Sequence, residues 1–187
     1  MIRSLFIALI LSFGTAAIAQ DNPVVVMETN KGTIRIELWP DEAPISVENF
    51  LRYTDSELYD GLIFHRVISG FMIQGGGFNS DMVQLSAYEP IKNEAKSSVP
   101  NNRGTLSMAR TNVVDSATSQ FFINLADNDF LNHTSDTPSG FGYAVFGQVI
   151  GGMEVVDEIA KVATGRSGPY NDVPTEPIII LSARREL

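Results

Sequence analysis

Apolar and polar residues alternate along most of the chain with the period of two that marks strands buried on one face. In Thr33–Trp39, Ile34, Ile36 and Leu38 interleave with Thr33, Arg35 and Glu37, which predicts an antiparallel sheet with one wet face. Val24–Thr29 precedes this stretch across Asn30-Lys31-Gly32, a hairpin signal. Further strands are predicted at Leu62–Ile68, Phe71–Gln74, Gly104–Ala109, Gln120–Asn124, Tyr143–Val149 and Pro177–Ala183. The period changes twice. Asp41-Glu42-Ala43-Pro44 opens a helix reaching about Tyr53, with Val47, Phe50 and Leu51 as its apolar stripe and its acids near the positive end. Val155, Val156, Ile159 and Val162 share one face of a second helix, Gly152–Val162. Two short helices among many strands predict a barrel or sandwich closed by helices. The polar loops Asn79–Arg103, Asp127–Gly142 and Ala163–Glu176 are long enough to be either functional or tied down by packing.

The start of the chain departs from this pattern. Arg3, the apolar run Leu5–Phe13 and Ala17-Ile18-Ala19 before Gln20 have the layout of a secretory signal peptide over residues 1–19. The run is about half the length a membrane span needs, which weighs against the alternative of an N-terminal anchor. With no internal repeat or linker, residues 20–187 are expected to form one domain. The net charge of −9 repels phosphate backbones, and nucleic acid is not an expected partner. The absence of cysteine excludes disulfides, thiolate catalysis and thiolate-held metals. With two histidines as the remaining soft ligands, no metal is expected.

Candidate chemistry gathers around Phe64-His65-Arg66-Val67-Ile68-Ser69-Gly70-Phe71-Met72-Ile73-Gln74. Strict alternation turns Arg66 away from His65 and Val67, and it puts Met72 and Gln74 on one face. His65 is expected to pack inward with a hydrogen bond, and His133 to face water. Gln120 and Phe122 share a face opposite Phe121 and Ile123. If the two segments are neighbours, Arg66, Met72, Gln74, Gln120 and Phe122 form a patch of fixed cation, thioether, amide and aromatic. Such a patch suits a small apolar group on a peptide. Phe71 joins it only through a bend at Gly70. Gly75-Gly76-Gly77 lacks the lysine and following helix of a phosphate loop and reads as a bulge or turn. Ser116 and Ser119 near Asp115 lack the G-x-S-x-G elbow of a hydrolase.

Phe64–Gln74 with Gly75-Gly76, Ser107-Met108-Ala109 and Ser119-Gln120-Phe121-Phe122-Ile123, in that order, resemble the signature blocks of the cyclophilins, which are peptidyl-prolyl cis/trans isomerases. The leader and Phe130-Leu131 are similar to the periplasmic bacterial members. The resemblance implies a mainly β fold: a closed eight-stranded antiparallel barrel capped by two α-helices, with the site on its outer surface. It implies Arg66 as the catalytic arginine with Gln74 as its polar partner. Phe71, Met72, Phe122 and Leu131 would wall a proline pocket, Ala109 and Arg110 would offer backbone to the substrate, and Gln120 would line the floor. Phe130 stands where the eukaryotic pattern has tryptophan, and Tyr143 where histidine is common. Both weaken expected cyclosporin binding more than isomerase activity. Arg110 stands at an asparagine position. The implied partners are proline-containing unfolded or extended polypeptides and cyclosporin at reduced affinity. The expected protein is monomeric, free of cofactor and of stable membrane association, and acts in a bacterial periplasm. A proline-peptide binding module or holding chaperone with negligible turnover would need the pocket but no donor aimed at the prolyl nitrogen, so Arg66 separates the two readings.

Overall fold

The computed structural model describes residues 21–186; the predicted leader lies outside the described residues. β1 (Val24–Thr29) and β2 (Gly32–Leu38) form the expected hairpin, followed by α1 (Pro44–Asp55), β3 (Leu62–Ile68) and β4 (Met72–Asn79). β5 (Thr105–Met108), β6 (Phe121–Asn124), β7 (Val145–Gly151), α2 (Met153–Ile159), β8 (Thr164–Ser167), β9 (Tyr170–Pro174) and β10 (Ile180–Arg185) complete the order. Eight strands make one antiparallel sheet in the order β10-β1-β2-β7-β5-β6-β4-β3. Its outer strands meet where the Gly61 N–H donates to Ile180 O at 2.8 Å and the Phe64 N–H to Ile178 O at 2.9 Å. The sheet thus curls into a nearly closed barrel, and closure removes exposed edges.

The inward set of each strand fills the barrel, with Val25, Met27, Ile34, Ile36, Leu38, Leu106, Phe121, Ile123 and Phe146 all buried. α1 seals one end by inserting Phe50, whose ring centroid lies 5.1 Å from Tyr59 and 5.3 Å from both Phe121 and Phe146. The expected acids at the start of α1 are not in its first turn. Asp41 and Glu42 precede it, and Glu94 supplies the anion instead, accepting from the Ile45 N–H at 3.0 Å and the Ser46 N–H at 2.7 Å. This contact with the dipole's positive end anchors the loop between β4 and β5.

One other expectation is narrowed and two change. Gly75-Gly76-Gly77 supplies a bulge and not a turn: β4 runs on through it, with four residue steps from Gly75 to Asn79 against two in β3 from Phe64 to Leu62. Gly76, at φ 79, sits so close to the Ser119 carbonyl that a Cβ would fall 2.8 Å from its oxygen. The loop Ala163–Glu176 contains the β8–β9 hairpin, a separate two-stranded sheet. Its residues are mostly exposed and lack an alternating apolar face, so their pattern carries no strand signal. The last strand begins at Ile180 rather than Pro177, because proline has no N–H to give to a ladder.

Candidate active site

β3 and β4 pair with Arg66 opposite Gln74, and β4 pairs with β6 so that Gln74 lies opposite Phe122. These pairings bring the two motif segments together as the alternation requires. Between β3 and β4 the chain turns through Ile68-Ser69-Gly70-Phe71, closed by the Phe71 N–H donating to Ile68 O at 3.1 Å. Gly70 has φ 72, a conformation glycine reaches at no steric cost, and this bend swings Phe71 to the same side as Met72.

Outside the barrel, Met72, Phe122 and Leu131 form a second apolar cluster, flanked by Ile68, Phe71, Ala109 and Tyr143. Leu131 arrives on a single 3₁₀ turn, Asp129–Leu131. The cluster borders a pocket of about 180 Å³ lined by Arg66, Phe71, Met72, Gln74, Ala109, Arg110, Phe122, Leu131 and Tyr143. Every one of these is a residue singled out from the sequence. Two more fall just outside. Gln120 accepts from Gln74 Nε2 at 2.8 Å, and Phe130 is 74% exposed, its ring stacked 5.5 Å from Phe71. Gln74 therefore adjoins Arg66 in register but spends its hydrogen bond on Gln120. Larger grooves run along α1 (about 760 Å³) and beside Trp39 (about 620 Å³). Neither contains a motif residue.

The Arg66 guanidinium donates no hydrogen bond among the described residues; its closest anion is Asp172, at 3.8 Å from Nε, and both side chains are 43% exposed. The cation is held at the pocket rim with donors to spare. His65 is buried and packed as expected, its ring 4.7 Å from Phe78, but on the side of Arg66 and not toward the barrel core. Phe64 lies opposite Gly75 and Arg66 opposite Gln74, a bulge that places two β3 residues against one step of β4 and breaks alternation. Phe64 and Val67 stay in the core, and His65 turns to the side of Arg66. It lines an outer recess of about 350 Å³ together with Arg66, Gln74 and Gln120. It is 5% exposed, its Nδ1 has no hydrogen-bond partner, and burial, with help from the Arg66 charge, lowers its pKa to about 4. His133 does not simply face water either, since its Nδ1 lies 2.9 Å from Phe141 O.

Three contributions were invisible in the sequence. Arg110 uses its side chain as well as its backbone: it donates to Gly142 O at 2.9 Å and Pro138 O at 3.0 Å, and its guanidinium carbon lies 4.8 Å from the Tyr143 ring centroid. It thereby holds the loop that carries Tyr143. Asn128 donates to Phe71 O at 3.0 Å and Asn124 Oδ1 at 2.7 Å, fixing the turn from below. Asp172 comes from the hairpin in what the pattern showed as loop. Only the asparagines carried a possible signal, as buried polar groups that need partners.

A barrel with an outward apolar pocket beside an arginine with free donors is a surface whose chemistry suits a small apolar ring next to a hydrogen-bond acceptor. The family model of the cyclophilin type peptidyl-prolyl cis-trans isomerase/CLD matches residues 24–185. Peptidyl-prolyl cis-trans isomerase A of Dickeya dadantii is 53% identical over 173 residues, 92% of this chain and 90% of its own. Peptidyl-prolyl cis-trans isomerase B of Escherichia coli is 55% identical over 159 residues, 85% and 97% of the two chains. The crystal structure of a Cryptosporidium parvum cyclophilin in the presence of dipeptide Ala-Pro aligns with a TM-score of 0.70 at 28% identity, covering 88% of this chain and 99% of that one. The chain belongs to the cyclophilin-type peptidyl-prolyl cis-trans isomerases. It is accordingly an enzyme of X–Pro bond rotation, and the reading as a binder with negligible turnover falls away.

Proposed function

We propose that Arg66 is the catalytic donor and that the adjoining pocket seats the proline ring of an unfolded or extended chain. The supporting observation is a guanidinium with no hydrogen bond among the described residues at the rim of a pocket walled by Phe71, Met72, Phe122 and Leu131. Rotation about an X–Pro bond is slow because amide resonance must be lost, at about 18–20 kcal/mol. In the twisted transition state the prolyl nitrogen regains its lone pair and becomes an acceptor. A guanidinium is charged at any working pH and can donate to it. The planar ground states accept poorly, so the bond is strongest at the transition state, which is the condition for acceleration.

Raising the rate from roughly 10⁻² to about 10³ s⁻¹ needs about 7 kcal/mol, at about 1.4 per decade. One preorganised donor supplies about 3–4 kcal/mol. The apolar walls supply the remainder by excluding water and holding the ring while the acyl side turns. In this reading Gln74 and Gln120 form the polar floor, and the backbone of Ala109 and Arg110 runs beside the substrate. Phe130 stacks on Phe71 at the outer edge, and because it lacks the indole N–H of the tryptophan in the eukaryotic pattern, cyclosporin is a ligand of reduced affinity.

The signal-peptide layout of residues 1–19 supports export to a bacterial periplasm. There a monomeric isomerase would act on exported chains as they fold. A protease-coupled proline-peptide assay tests the donor role. Arg66→Ala is expected to lose about two orders of magnitude in turnover with an unchanged circular dichroism melt, and full activity in that variant refutes the assignment.

A further inference from the structure

We infer that Asp172 is a positioning residue for Arg66, placed by a β-bulge that aims its carboxylate at the guanidinium. In the β8–β9 hairpin Gly165 pairs with Val173 but Ser167 pairs with Tyr170, so β9 carries one residue more than β8 between the two pairings. Asp172 lies in that interval with φ 60, the left-handed region where such bulges ordinarily take glycine. A carboxylate side chain at this position costs backbone strain that glycine would avoid. The ion pair it makes with Arg66, 3.8 Å long and 43% exposed on both sides, returns little stability in water. Stability therefore does not account for an aspartate here, and orientation of the guanidinium does. At 3.8 Å the Asp172 carboxylate makes no hydrogen bond with the guanidinium but attracts its Nε side by charge, which biases the cation's orientation and leaves both Nη groups for the substrate.

The hairpin is anchored firmly enough for this role. The Tyr170 ring centroid lies 5.0 Å from that of Phe78, Phe78 lies 4.7 Å from His65, and Val173 is buried. This stack ties the hairpin to the residue next to Arg66 in β3. The inference rests on Arg66 being the donor, so its test reads the pair and the catalysis separately.

Asp172→Asn keeps the shape and removes the charge, and Asp172→Gly removes both the side chain and the strain. Both variants are expected to lose about tenfold in kcat with KM unchanged, and Asp172→Gly to melt no lower than the parent. The Arg66 Nε–Hε resonance, assigned by its loss in Arg66→Lys, is expected to move toward that of free arginine in both. In an Arg66→Ala background, Asp172→Asn is expected to change kcat no further. Unchanged kcat in the two single variants overturns the inference, as does a loss of activity with an unmoved Nε–Hε resonance or with a lowered melt in Asp172→Gly. Failure of the donor role itself shows separately, as activity retained in Arg66→Ala alone.

Discussion

Gln74 donates to Gln120 at 2.8 Å, and this bond exists because position 77 has no side chain. A Cβ on Gly77 would lie 2.5 Å from Gln120 Cδ and 2.6 Å from its Cγ, inside the space the amide occupies. Gly77→Ala is therefore expected to push Gln120 off the floor and break the pair. A lost neutral hydrogen bond is worth roughly 1 kcal/mol, about fivefold in kcat/KM. The protease-coupled assay measures it, and an unaltered rate would remove the two glutamines from the site.

Phe122 is 5% exposed, packs on Met72 and Leu131, and meets Tyr143 edge-on at 5.6 Å. Truncation to alanine opens the pocket wall and removes apolar contact with a proline ring. The expected loss is roughly 2 kcal/mol, or about thirtyfold in peptide affinity, together with a fall in rate. Titration of a proline peptide by NMR reads the affinity. An unaltered dissociation constant would mean the ring is seated elsewhere.

Arg110 grips its loop through side-chain bonds to Gly142 O and Pro138 O. Arg110→Ala leaves the backbone at this position intact but frees the segment carrying Tyr143. KM is expected to rise several-fold, at roughly 1 kcal/mol per lost bond, with kcat nearly unchanged. Amide exchange at Gly140–Tyr143 is expected to quicken, and protected amides there would refute the clamp.

His65 gives the fold a pH dependence. Its pKa falls from 6.5 in the unfolded chain to about 4 in the folded one, so in that window the unfolded state binds a proton that the folded state refuses. Stability accordingly declines as pH drops from about 6.5 toward 4, by roughly 3 kcal/mol. Urea denaturation of the parent and His65→Gln at about pH 7 and about pH 4.5 isolates this from the carboxylates common to both. The parent is expected to lose more, and equal losses would show that the imidazole is not buried neutral.

What was legible in the chain is what short-range pattern encodes. The hairpin Val24–Leu38, both helices, the barrel strands and the faces of Met72, Gln74 and Phe122 follow from periods of two and 3.6, because burial on one side imposes them residue by residue. Of the nine pocket residues, Arg66, Met72, Gln74 and Phe122 follow from strand facing, and Phe71 from the bend at Gly70; Ala109, Arg110, Leu131 and Tyr143 came only from the resemblance to the cyclophilins, because no strand pattern places them. His65 was misplaced because a bulge adds one residue to one partner of a pair, and a single strand's pattern does not register what its partner does. The β8–β9 hairpin was missed because an exposed ribbon buries no face and so has no alternation to show.

The amino-acid order thus predicted antiparallel strands closed by two helices and one face shared by Arg66, Met72, Gln74, Gln120 and Phe122, while the closed barrel and the remaining pocket wall were what the resemblance to the cyclophilins implied. Folding decided the rest: Glu94 on the start of α1, Gln120 against Gln74, Arg110 on its loop and Asp172 beside Arg66. Each of these contacts joins residues far apart in the chain through side chains that hold no apolar period. Their meeting depends on how separate elements dock, and docking is fixed by packing and register over the whole barrel rather than by any one segment.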